Sequence, residues 1–178
     1  TMNVIMIGTG DRAKGADKFI KIANSFTQEI EKGEIQFEIV GKLAPDIKAE
    51  VNNNIKFHDN ILSVKDYNMK IENADLVLLL KDNSLKAVAS GTFLDALAYG
   101  IPFLSIKNSY VEYYANDFLM ENCIFDSTEL IARKLKELLI MPIEDRVSYL
   151  EKCKNNILQI REAFSIEKNS KIFMDQIQ

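Results

Sequence analysis

Residues 90–102 read Ser-Gly-Thr-Phe-Leu-Asp-Ala-Leu-Ala-Tyr-Gly-Ile-Pro, a small-residue turn opening a short helix that carries one carboxylate and closes at Gly-Ile-Pro. Amides at a helix start lack intrahelical acceptors and lie at the positive end of the helix dipole, so Ser90, Gly91 and Thr92 are suited to hold a diphosphate. Asp95, one turn further on, would then face a ribose. The same residues also fit a purely architectural role, in which Ser90 or Thr92 caps a helix whose Phe93, Leu94 and Leu97 fill a core and Asp95 complements the dipole.

A second stretch of related chemistry follows the first apolar run. Gly8-Thr9-Gly10-Asp11-Arg12-Ala13-Lys14-Gly15 combines early glycines, which permit a tight turn and close backbone approach, with Arg12 and Lys14 as cations for an anionic ligand. A turn with solvated basic side chains is the competing interpretation. Gly41, beside Lys42, could admit a ligand at the end of the next apolar run, and His58 could read a base edge. His58 is the only histidine and has no triad or metal partner in sequence, so nucleophilic catalysis is not assigned to it. The loop also satisfies G-x-G-x-x-A, a nicotinamide-cofactor pattern. That fold expects an acid about 20 residues on, at the tip of the second strand. Here that tip reads Val40-Gly41-Lys42.

The elements that would position these groups are written in the periodicity. Apolar runs of strand length at 3–7, 35–40, 55–58, 74–80, 102–106 and 123–125 alternate with segments of helical period. This predicts an α/β fold, a Rossmann-like parallel sheet of about six strands with helices on both faces. The nearly continuous run 74–80 should lie in mid-sheet. Helices are expected at 16–30, 45–52 and 64–72, with the C-terminal third helical from Ser127 onward, broken at Met141-Pro142, and ending in helices at 143–164 and 166–177. The polar stretch 80–89 is expected to floor a pocket. Ligands in such sheets gather outside the carboxyl ends of the strands, where both phosphate-type loops fall.

Composition sets the outer limits. The chain has 178 residues, 47% hydrophobic and 27% charged, which suits one domain spanning 1–178. A net charge of -4 gives no electrostatic footprint for nucleic acid. Cys123 and Cys153 are distant in sequence and share no CxxC spacing, so free thiols in a reducing cytoplasm are expected and a zinc site would lack ligands. No run approaches the roughly 20 apolar residues needed to span a bilayer.

The order of these pieces resembles the C-terminal, donor-binding half of GT-B glycosyltransferases of the group 1 (family 4) type. The likeness covers about residues 3–120 and is most specific at 93–102, similar to the family's L-x-E-A-M-A-x-G-x-P, with Lys14-Gly15 in the right order. It implies transfer of a sugar from a nucleoside diphosphate, UDP or GDP, to a glycan or lipid-linked acceptor, usually without a metal or other cofactor. By resemblance, Gly8, Thr9 and Gly10 belong to the donor loop, Lys14 contacts the donor phosphate, and Ser90, Gly91 and Thr92 receive the diphosphate. Asp95 takes the place of the ribose-binding glutamate. Thr9 stands where the family carries a phosphate-binding arginine, leaving Arg12 as its substitute, and Ala87 stands where it carries the first glutamate of a pair. The resemblance further implies an N-terminal acceptor domain in the same polypeptide, a role in polysaccharide biosynthesis, and a cytoplasmic enzyme working at the inner face of the membrane.

Overall fold

The computed structural model describes residues 1–81, 90–115 and 123–165. Six parallel strands form one sheet in the order β3-β2-β1-β4-β5-β6, with β1 Met2–Ile7, β2 Ile35–Lys42, β3 Ile55–His58, β4 Leu76–Leu79, β5 Phe103–Ile106 and β6 Ile124–Phe125. The expected α/β class, strand number and central position of β4 are all present. All four residues of β4 are buried, because helices cover both faces of the sheet. The chain leaves β1 toward β2 and leaves β4 toward β5, in opposite directions, so the topological switch point, where sheets of this kind form their ligand crevice, falls at the carboxyl ends of these two adjacent strands.

On one face, Phe19 of α1 Ala16–Asn24, Phe26, which precedes α2 Thr27–Glu31, and Ile131 and Leu135 of α7 Thr128–Ile140 are buried against Phe37 and Ile39. On the other, α4 Val64–Glu72, α5 Gly91–Tyr99, α6 Ser109–Ala115 and α8 Ile143–Ala163 bury Ile71, Phe93, Val111 and Ile157 against Ile5, Val77 and Phe103. Phe37 meets Phe19 and Phe26 at ring-centroid distances of 5.7 and 5.5 Å. Removing one such ring typically costs about 3–5 kcal/mol.

The single helix expected over 16–30 is two. Ser25 turns its hydroxyl onto the Ile22 carbonyl at 2.7 Å, and the Phe26 amide bonds Ala23 O at 3.0 Å, which ends α1 and lets Phe26 enter the core. The helix expected at 45–52 is shorter, α3 Pro45–Lys48. Ser127 caps α7 by accepting from the Leu130 amide at 3.4 Å, and the break at Met141-Pro142 is present, with Met141 extended. The expected helix at 166–177 and residues 82–89 of the expected pocket floor at 80–89 lie outside the described residues. Among the described residues, no helix is long and apolar enough to cross a membrane.

Candidate functional site

The loop leaving β1 is stitched to the tip of β2. Gly8 N donates to Val40 O, Gly10 N to Lys42 O, and Ala44 N to Gly10 O, each at 3.0 Å. These bonds require the backbones to touch: a Cβ on Gly41 would lie 2.2 Å from Gly8 O, so only glycine fits. Thr9 is exposed at the loop tip and Gly10 is buried beneath it. Asp11 then caps a short 3-10 helix, Arg12–Lys14, by accepting from the Lys14 amide at 2.9 Å. Gly15 takes φ 85° and presses on the end of β4, where a Cβ would lie 2.6 Å from Leu80 O.

This turn folds Lys14 back over the loop. Its Nζ lies 3.4 Å from the point where a side chain on Gly8 would begin. From the other side of the crevice, Thr92 Oγ1 donates to Ile7 O at 3.2 Å. Lys14 and the start of α5 therefore flank the same Ile7-Gly8 junction. Ser90 Oγ accepts from the Phe93 amide at 3.3 Å, so the cap exists, and helix geometry leaves the Gly91 and Thr92 amides without intrahelical acceptors. The cap uses only the third amide, so it is compatible with an anion at the first two. Lys18, on the first turns of α1, reaches Leu80 O at 3.3 Å and brings a second ammonium to this end of the sheet. Sequence reasoning missed Lys18, which looks like any polar position on an amphipathic helix.

Three other candidates have protein partners. Arg12 pairs with Asp46, at 3.3 Å, and with Glu50, so its guanidinium is engaged by carboxylates of the α3 region. His58 Nε2 donates to Glu38 Oε1 at 2.7 Å, and Lys70 Nζ reaches the same oxygen at 2.5 Å. Burial works against ionising Glu38, yet the hydrogen bonds from Lys70 and His58 prevail and hold its carboxyl below the ordinary range. Asp95 accepts from the Tyr67 hydroxyl at 2.9 Å. Burial, followed by the bond to Asp95, pushes the Tyr67 phenol well above its usual value and keeps it a donor. Neither Tyr67 nor Lys70 carries a sequence signal, because both act across the gap between separate elements.

Tyr110 of α6 completes the mouth of α5, packing edge-on to Phe93 at 5.6 Å between ring centroids. Among the described residues, no group of three or more His, Cys, Asp or Glu side chains could hold a metal ion.

No family model matches the chain, and no curated protein matches it in sequence. Solved structures do match in fold. The C-terminal domain of the glycosyl transferase group 1 family protein LpcC from Francisella tularensis superposes with a TM-score of 0.67 at 17% identity, covering 92% of this chain and 85% of that domain. WaaG, a glycosyltransferase involved in lipopolysaccharide biosynthesis, gives 0.63 at 21% identity, covering 88% of this chain and 42% of its own. An E. coli trehalose-6-phosphate structure bound with UDP-2-fluoro glucose gives 0.65 at 13% identity, covering 99% of this chain and 44% of its own. The chain thus spans less than half the length of the latter two. Its six-stranded, Rossmann-like sheet has the fold of the C-terminal half of GT-B group 1 glycosyltransferases.

Proposed function

We propose that this chain is the donor-binding half of a glycosyltransferase, which holds a nucleoside diphosphate sugar for transfer to a glycan or lipid-linked acceptor. The observation that carries the reading is the convergence of Lys14 and the start of α5 on the Ile7-Gly8 junction. In this reading the Gly91 and Thr92 amides and the Lys14 ammonium meet the diphosphate, and no metal is called for. Asp95 accepts from ribose hydroxyls, and the close apposition of Gly41 to Gly8 fixes the first loop against the tip of β2. UDP and GDP are the expected nucleotides.

Such a site serves catalysis by neutralising charge that builds on the leaving diphosphate while donor and acceptor are held in register. The acceptor side belongs to an N-terminal domain of the same polypeptide. The proposed setting is polysaccharide assembly at the cytoplasmic face of a membrane.

A melting experiment tests donor binding. A ligand at 100 times its dissociation constant adds about 2.7 kcal/mol, roughly 5–10 °C for a domain of this size. UDP or GDP should produce that rise with EDTA present, and NAD should not. A rise with NAD alone would instead assign the G-x-G-x-x-A loop to a nicotinamide cofactor.

A second reading, a nucleotide- or partner-binding module without catalysis, is favoured by one observation: Arg12, the candidate substitute for the family arginine, is occupied by Asp46 and Glu50. Transfer measured with the full-length polypeptide separates the two. A chain that binds UDP but supports no transfer or donor hydrolysis is the module.

A further inference from the structure

The two cysteines, unrelated by spacing in the sequence, meet in the fold. Their sulfurs lie 3.7 Å apart, with Cys123 2% and Cys153 6% exposed. Cys123 immediately precedes β6 and accepts the Ser105 amide on its carbonyl at 2.7 Å, whereas Cys153 lies within α8. β6 is a two-residue edge strand, paired among the described residues with β5 alone.

We propose that Cys123 and Cys153 form a modification site, a dithiol that a peroxide converts to an intramolecular disulfide joining the β6 edge to α8. The sulfurs need close only from 3.7 Å to about 2.05 Å. The chain holds 2 cysteines in all, so no other thiol of the same molecule competes.

Cys153 is the attacking sulfur. The hydrogen bond from the Cys123 thiol favours its thiolate against the cost of burial, helped by Tyr149 and by the charges of Lys134 and Lys152. Lys134 is placed by stacking its ammonium over the Tyr149 ring at 4.4 Å. The Cys153 thiolate attacks one peroxide oxygen; the O–O bond breaks, hydroxide leaves and takes a proton to become water, and a sulfenic acid forms. The Cys123 sulfur then attacks the Cys153 sulfur, expelling the hydroxyl as a second water. Two thiols are oxidised, one peroxide is reduced, and the Cys123 proton ends on water.

The closed loop, residues 123–153, contains all of α7, so the cross-link restricts the unfolded chain. The test is hydrogen peroxide treatment of the purified chain, followed by intact mass and thiol titration in denaturant. The expected result is a monomer lighter by about 2 mass units, with no titratable thiol, restored by dithiothreitol, and melting about 5 °C or more higher. Cys153→Ser should instead gain oxygen or stay unchanged. Retention of both thiols, oxygen addition to the wild-type chain without cross-linking, or a disulfide-linked dimer would overturn the proposal.

Discussion

The Tyr67 hydroxyl donates to Asp95 Oδ2 across 2.9 Å, joining α4 to the face of α5 that also carries Thr92 and Tyr99. Tyr99 makes a parallel link, its hydroxyl donating to Asn68 Oδ1 at 2.5 Å. The carboxylate proposed to meet a ribose is thus held by a neighbouring helix, which fixes an aspartate one methylene shorter than glutamate. Tyr67→Phe removes one hydrogen bond and should cost about 1 kcal/mol in denaturant unfolding. It should also weaken UDP or GDP binding several-fold while leaving inorganic pyrophosphate binding unchanged. Equal weakening of both ligands would place Tyr67 in general stability rather than in ribose recognition.

The Glu38 carboxylate, shared by His58 and Lys70, predicts acid sensitivity. Its folded pKa lies below the unfolded value, so the unfolded chain takes up the proton first. The resulting stability is present above the ordinary glutamate range, about 4.3, and is lost as pH falls through the folded value. Glu38→Gln should lower stability near pH 7 by about 2 kcal/mol, the scale of hydrogen bonds to a charged group. The gap between variant and wild type should shrink progressively below about pH 4.3 in urea titrations. A gap that does not change with pH would remove the ion pairs as its cause.

Gly41 touches Gly8 so closely that any side chain must displace the first loop. Gly41→Ala should cost about 1–3 kcal/mol through overpacking and diminish the nucleotide-induced melting rise. An unchanged rise in a destabilised variant would detach the loop from the ligand.

The two cations of the first loop should behave differently. Arg12 is held by Asp46 and Glu50, whereas Lys14 lies over Gly8. Arg12→Ala is expected to leave nucleotide affinity within about twofold, since its guanidinium is already engaged by those two carboxylates, and to cost little stability, since exposed pairs contribute little. A loss on Arg12→Ala as large as that on Lys14→Ala would show that the ligand draws Arg12 away from its carboxylates.

Much of this architecture was legible because burial leaves marks in sequence. A strand covered on both faces reads as a continuous apolar run, which is why β4 could be placed in mid-sheet. The rule that ligands gather at carboxyl strand ends groups residues 8–15 and 90–95 from the sequence alone. Side-to-side order leaves no such mark, so the adjacency of β1 and β4 emerges only from the fold. The break between α1 and α2 was hidden because Phe26 keeps the helical spacing while the Ser25 hydroxyl takes a backbone carbonyl. Contacts between distant elements were equally silent. Tyr67 with Asp95, Arg12 with Glu50, and Cys123 with Cys153 join residues 28, 38 and 30 positions apart. Such pairs depend on helix placement over the sheet, which local periodicity does not encode.

The most direct measurement is calorimetric titration of UDP and of GDP into the wild-type chain and into Lys14→Ala. One nucleotide should bind the wild type, with affinity reduced tenfold or more in the variant, the scale of one lost charge-assisted phosphate contact, about 1.4 kcal/mol. Failure of both nucleotides to bind the folded wild type, or equal affinity in the two proteins, would contradict a diphosphate held between Lys14 and the first turn of α5.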